Sequence, residues 1–271
     1  MIPRARGEAH LVRALPLVLA LTACTGGSRT TPERPGAERL GADRPAGAAA
    51  EIRLLALGDS YTIGERVEPA GRWPVQLAVL LRGSGVPVAE PEIVARTGWT
   101  TDELAAGIDS AAPIGPFSLV TLLIGVNDQY RGRDTAAYRP AFRAMVARAV
   151  ALAGGDARRV MVLSIPDWGV TPFAASRDRA KIAAEIDRYN AVNRDESLRA
   201  GVAYVDVTPE SREAATNLAL VAGDGLHPSA AMYAAWARLA LPNARAAFGR
   251  APIRGAYRLL IPPALLMFAS S

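Results

Sequence analysis

Two short stretches, far apart in the chain, hold residue types that together could open an acyl bond. Gly58-Asp59-Ser60 follows directly on the apolar run 52–57, and Asp224-Gly225-Leu226-His227-Pro228 precedes the last helical segment. A serine hydroxyl is a poor nucleophile at neutral pH and needs an adjacent base, usually an imidazole. The chain has two histidines, His10 and His227, and His10 falls in a leader-like segment, so His227 is the candidate base for Ser60. Such a base needs a partner to fix its tautomer and to stabilise the imidazolium it becomes. Asp224, three residues earlier, can reach one ring nitrogen from the same turn. A tetrahedral intermediate also needs preorganised donors for its oxyanion. The candidates are the backbone N–H of Ser60, the N–H of Gly98 in Arg96-Thr97-Gly98-Trp99, and the side-chain amide of Asn127 in Gly125-Val126-Asn127-Asp128. Glycine at 98 lets the backbone approach a substrate closely.

Each stretch alone has a plainer explanation. Gly-Asp-Ser is a common turn composition, Asp224 lies between two glycines, and His227 precedes a proline at a helix start. Asn127 and Asp128 could simply cap the loop after their strand. Their joint occurrence favours the chemical reading, because one histidine serves the whole set. Rival spellings are missing: there is no Gly-x-Ser-x-Gly around Ser60, no Ser three residues before Lys181, no P-loop and no dinucleotide Gly-x-Gly-x-x-Gly.

The elements that must position these residues are legible as alternation. Apolar runs of strand length lie at 52–57, 118–124, 159–165 and 202–207, with a weaker one near 93–95. They are nearly continuous in hydrophobicity, as strands covered on both faces are. Helical segments are predicted over 73–82, 101–109, 135–153, 176–199 and 229–240, with Ile182, Ile186, Tyr189 and Val192 forming one apolar stripe. This order predicts an α/β fold with a parallel sheet between helices. In such sheets functional groups collect at the carboxyl ends of the strands. The four stretches named above fall there.

Taken in order, Gly-Asp-Ser, Gly98, Gly-x-Asn-Asp and Asp-x-x-His-Pro resemble the four blocks of the GDSL, or SGNH, hydrolases. The resemblance covers residues 52 to about 240. It implies a flavodoxin-like three-layer α/β/α sandwich that hydrolyses esters or thioesters through an acyl-enzyme, without metal or organic cofactor. It implies Ser60 as nucleophile, Asp224 and His227 as its triad partners, and Ser60, Gly98 and Asn127 as the oxyanion hole. Two positions depart from the family spelling: Tyr61 stands for its Leu, and Val126 for the second Gly of Gly-Gly-Asn-Asp. Flanking segments 61–73 and 168–173 carry aromatics that could line the cleft or belong to the core.

The remainder of the chain concerns location. Arg4, Arg6 and Arg13 precede an uncharged apolar stretch, Ala14 to Ala23, that is too short to span a bilayer. It ends in Leu-Thr-Ala-Cys24, which resembles a bacterial lipobox, where the cysteine would be acylated. The alternative is an ordinary secretory signal, and export follows from either. Residues 1–23 are thus expected to be a signal, and 24–50, rich in Gly, Pro, Ala and Arg, a flexible tether of about 25–30 Å. Residues 51–242 form the hydrolase domain. Residues 243–271 form an extension whose apolar part, 259–268, is broken by Pro262-Pro263.

The net charge is +5, but the Arg residues are scattered among 26 acids, which argues against nucleic acid. A lone cysteine and two histidines argue against zinc. The expected partners are a small-molecule ester and, through Cys24, the membrane of the envelope. A binding lipoprotein without turnover is the competing class, and such a protein has no need of Ser60, Asp224 and His227 together.

Overall fold

The computed structural model describes residues 52–248. The leader with Cys24, the tether and the apolar stretch 259–268 lie outside the described residues. In chain order the elements are β1 (Leu54–Gly58), α1 (Ser60–Ile63), α2 (Trp73–Gly83), β2 (Glu92–Ala95), α3 (Thr101–Ala111), β3 (Leu119–Leu123) and α4 (Val126–Tyr130). There follow α5 (Thr135–Leu152), β4 (Val160–Leu163), α6 (Arg179–Arg199), β5 (Ala203–Val205), α7 (Thr208–Arg212) and α8 (Ala230–Phe248).

The five strands pair in the order β2-β1-β3-β4-β5, all parallel. Every residue of β1, β3 and β4 is buried, whereas the edge strands β2 and β5 are half-covered. This is the burial expected of a sheet with helices on both faces. Helices α2 and α8 pack on each other over one face, and α3, α5 and α6 form the layer on the other. The result is the predicted α/β/α sandwich. Its core joins Leu55, Leu57, Val120, Leu122 and Val162 of the strands to Trp73, Tyr233 and Trp236 from one helical layer and Leu104, Phe142 and Ile186 from the other.

Local sequence starts the helices. Thr100 and Glu103 form a reciprocal capping box on α3, Asp134 caps α5, and Asp178 caps α6. The cap explains why α6 begins at Arg179 rather than 176. The helix expected to stop at 240 instead continues through Pro242 to Phe248. Pro242 is exposed, so its missing N–H and its ring lie on the solvent side, while Ala240 and Ala244 keep the buried stripe intact.

The α5–α6 contact is polar at its centre. Glu196 has a side chain only 1% exposed and is bonded by Arg143 Nε and Arg139 Nη1, each at 2.8 Å, with Arg199 Nη1 at 3.4 Å. The Arg143 hydrogen bond, helped by that from Arg139 and opposed by desolvation, holds the Glu196 carboxyl at about 2. The ordinary value is 4.5. A carboxyl depressed by folding contributes stability that is complete above its unfolded value and is lost as the pH falls through the folded one. Glu196→Gln is therefore expected to cost about 2 kcal/mol at neutral pH, a figure discounted for the partly exposed guanidinium groups. The variant should also be less acid-sensitive between 4.5 and 2. Urea unfolding of both proteins across that range checks it, and equal acid sensitivity would refute it.

Candidate active site

Strand β1 turns into α1 within one residue. Asp59 caps α1, its Oδ1 accepting the Tyr61 N–H at 3.0 Å, and Gly64 ends the single turn at φ +67°. Ser60 is thereby the first helical residue, where the backbone N–H has no partner within the helix. Among the described residues neither this N–H nor Ser60 Oγ makes a hydrogen bond. Ser60 is 5% exposed, at the floor of a cleft.

Asn127 enters the cleft from α4, after β3. Its Nδ2 donates one hydrogen to the Trp99 carbonyl at 2.9 Å, which leaves the second amide hydrogen unused. The neighbouring Asp128 is fully buried and ties three segments together. It accepts the N–H and hydroxyl of Thr101, both at 2.9 Å, and Nη1 of Arg133 at 2.9 Å. The loop after β2 is thus clamped to the loop after β3. Gly98 lies between them at φ +84°, and a Cβ there would meet open space. Glycine is required at 98 by the backbone conformation, not by crowding. Its carbonyl accepts Arg131 Nη2 at 2.6 Å, while its N–H has no acceptor among the described residues.

His227 comes from the turn before α8. Its Nδ1 lies 2.6 Å from Asp224 Oδ2, and Asp224 Oδ1 accepts the backbone N–H groups of Leu226 and His227 at 3.0 Å each. Desolvation raises the Asp224 carboxyl, but the bonds from the imidazole and these two N–H groups outweigh it and hold it below the ordinary carboxylate range. His227 Nε2 makes no hydrogen bond among the described residues. The His227 ring packs 5.7 Å from Tyr61. Arg66, at φ 65° and mostly exposed, brings Nε to 3.9 Å from Asp224 Oδ2.

Ser60, Gly98, Asn127 and His227 line one open cleft, whose empty space including open solvent is about 640 Å³, with Tyr61, Thr97, Val126, Leu226 and three further aromatics, Tyr130, Trp168 and Phe173. Asp224 stands behind His227. All the sequence-predicted residues inside 52–248 therefore converge on one place. Trp73 belongs to the core and Phe173 lines the cleft, while Tyr61 and Trp168 do both. Sequence reasoning missed Tyr130 and Arg177. Tyr130 follows Asn127 by one helical turn, a spacing that could have pointed to it. Arg177 lies over the rings of Tyr130, Trp168 and Phe173, and no local pattern announces it.

A family model described as the GDSL-like lipase/acylhydrolase family matches residues 56–235. The chain belongs to that family. It is accordingly a carboxylic ester hydrolase. No curated protein sequence matches it. Among solved structures it is similar to TesA, at 19% identity and TM-score 0.57, over 72% of this chain and 99% of that one. It is also similar to the esterase EstA from Pseudoalteromonas sp., at 14% identity and TM-score 0.56, over 72% and 97% of the two chains. Axe2, an acetylxylan esterase from Geobacillus stearothermophilus, matches at 20% identity and TM-score 0.53, over 71% and 94%. At these identities the likeness is one of fold.

One carboxyl beside Ser60 has an unusual state. Asp59 is wholly buried and its Oδ2 has no partner. Burial pushes its carboxyl up to about 8, against the lowering effect of the Tyr61 N–H and with help from the charge of Asp128. The folded protein then keeps this proton while the unfolded chain releases it near 3.8, so stability falls as the pH rises from 3.8 to about 8. Asp59→Asn retains the Oδ1 acceptor and cannot ionise. Relative to the parent, its stability should increase by about 3 kcal/mol between the two ends of that range. Thermal unfolding at several pH values checks this, and parallel profiles would show that Asp59 is ionised in the fold.

Proposed function

We propose that Ser60 attacks the carbonyl carbon of a carboxylic ester while His227 Nε2 takes the hydroxyl proton. Asp224 holds the Nδ1 proton and offsets the positive charge that the ring acquires. The carbonyl oxygen becomes an oxyanion held by the N–H of Ser60, the N–H of Gly98 and the Asn127 amide. Imidazolium then protonates the departing alcohol, leaving the acyl group on Ser60. Water, deprotonated by His227, attacks that acyl-enzyme and releases the acid and free serine. The observation that carries this reading is the set of unused groups around one cleft. Three N–H donors, one hydroxyl and one imidazole nitrogen there have no partner of their own among the described residues.

The aromatic walls and the size of the cleft suit a small acyl, acetyl or aryl ester, or the proximal part of a lipid ester. A thioester would meet the same groups. Esters of the cell envelope fit the sequence of the leader, through which we infer export and anchoring at Cys24.

Ser60→Ala is expected to lower hydrolysis of p-nitrophenyl acetate at least about a thousandfold and to abolish labelling by a fluorophosphonate. Asn127→Ala should cost about a hundredfold, mainly in kcat. Unlabelled wild type, together with hydrolysis unchanged in Ser60→Ala, would overturn the assignment. A p-nitrophenyl ester series separates the substrates, since a sharp acetyl optimum indicates a deacetylase and an optimum at eight carbons or more a lipid esterase.

A further inference from the structure

Resting on the esterase reading above, the geometry points to Arg177 as the residue that selects an ester bearing an anionic group, a carboxylate or a phosphate. The guanidinium carbon of Arg177 lies 5.0 Å from the ring centroid of Phe173, 5.2 Å from that of Tyr130 and 5.4 Å from that of Trp168. All three rings line the cleft that holds Ser60 and His227. The guanidinium is also tied to Tyr130 by Nη2, which donates to the phenol oxygen at 2.9 Å. A long, exposed cation is thereby held against three rings that themselves line the cleft. The Trp168 ring is itself fixed, since its Nε1 donates to Gln129 at 2.9 Å and it packs edge-on against both Tyr130 and Phe173.

Charge gives this placement its meaning. Of the five N–H donors on a guanidinium, one is used here, so at least one face of the fork remains open. Among the described residues Arg177 makes no ion pair with a carboxylate, in contrast to Arg131, Arg133 and Arg212 nearby in the fold. Among the described residues no carboxylate lines the cleft either. A cation held against aromatic faces, with open donors and no counter-ion, is suited to a planar oxyanion presented by a ligand. Stacking alone would explain the contact as a surface brace, but a brace would not discriminate between charged and neutral esters.

The test pairs esters that differ in charge and little else. 4-Acetoxybenzoate, charged on the leaving group, is compared with its methyl ester. 4-Nitrophenyl hydrogen glutarate, charged on the acyl group, is compared with 4-nitrophenyl pentanoate. The wild-type chain should favour at least one charged member in kcat/KM, mainly through KM, and the preference should weaken as salt is raised. In Arg177→Gln the charged-to-neutral ratio should fall about tenfold, and Arg177→Lys should restore part of it. A wild type without preference for either charged ester would overturn the proposal. So would a ratio unchanged in Arg177→Gln, whatever the overall activity. Calorimetric titration of the Ser60→Ala chain with 4-acetoxybenzoate, with and without Arg177→Gln, reads the same contact without turnover. It therefore separates failure of this inference from failure of the Ser60 assignment, which would show as hydrolysis surviving in Ser60→Ala.

Discussion

At the end of β1 there is no room for a side chain. A Cβ on Gly58 would lie 2.2 Å from Thr62 Oγ1 and 2.4 Å from the carbonyl oxygen of Leu123, its register partner on β3. The first turn of α1 folds directly over the last residue of the strand, and the adjoining strand passes just as close. Gly125 repeats the constraint at the end of β3, where a Cβ would lie 2.3 Å from the Tyr138 hydroxyl and φ is +120°. The first contact sets α1 at the carboxyl end of β1, and the second packs the turn into α4 against Tyr138 of α5, beside the point where the strand order reverses. Ser60 and Asn127 inherit their proximity from that close approach. A side chain at either glycine would have to part the strands or the helices, and the cleft would widen with them.

The walls of the cleft rest on buried polar groups whose partners are distant in sequence. Beyond Leu163 the sheet no longer supplies all the backbone partners of β4. The Asn190 side chain of α6 then serves in place of a strand, accepting the Ile165 N–H at 2.8 Å and donating to the Ile165 carbonyl at 2.9 Å. Ser164 Oγ accepts the N–H groups of Val207 and Thr208 at 2.7 and 3.0 Å, so the chain leaving β5 is fixed to the same point. Asp167, one step further, takes its N–H to Ser211 Oγ and its carboxylate to Arg212 Nε at 3.0 Å. Trp168 and the aromatic wall follow from there. The wall is a loop, yet satisfied buried hydrogen bonds define its course.

Much of this was legible in the sequence, and what was not has a common cause. Alternation of apolar runs with helical segments gave a parallel sheet between helical layers, because the central runs are covered on both faces. Ser60, Asn127, Asp224 and His227 could be singled out because a chemical requirement links them. On α6 the stripe of Ile182, Ile186 and Tyr189 was visible, but Asn190, Asn193 and Glu196 read as an ordinary polar face. They are buried by partners 18 to 57 residues away, which no local pattern encodes. The last helix, expected to end at 240, runs on through Pro242 because neighbours in space decide whether the missing hydrogen bond matters. Gly98 was singled out for close approach, and the structure assigns it to its backbone conformation.

The electrostatics of the site follow from where each negative charge is spent. A developing oxyanion beside Ser60 would be opposed by any bare carboxylate nearby, most strongly in a cleft that excludes water. Three of the carboxyl groups near Ser60 are each kept from facing the cleft as a bare charge, by different means. Asp59 keeps its proton at neutral pH because burial raises its carboxyl to about 8. Asp128 faces Arg133 at 2.9 Å and donors from Thr101. Asp224 is held below the ordinary carboxylate range, and the imidazole stands between it and the cleft, so that in the proposed mechanism its charge would stabilise the cation rather than repel the anion. The cost of an orphaned buried carboxyl at Asp59 is thus tied to the same turn that frees the Ser60 N–H. In the proposed mechanism, stability given up at that turn would keep like charge away from the reacting oxygen.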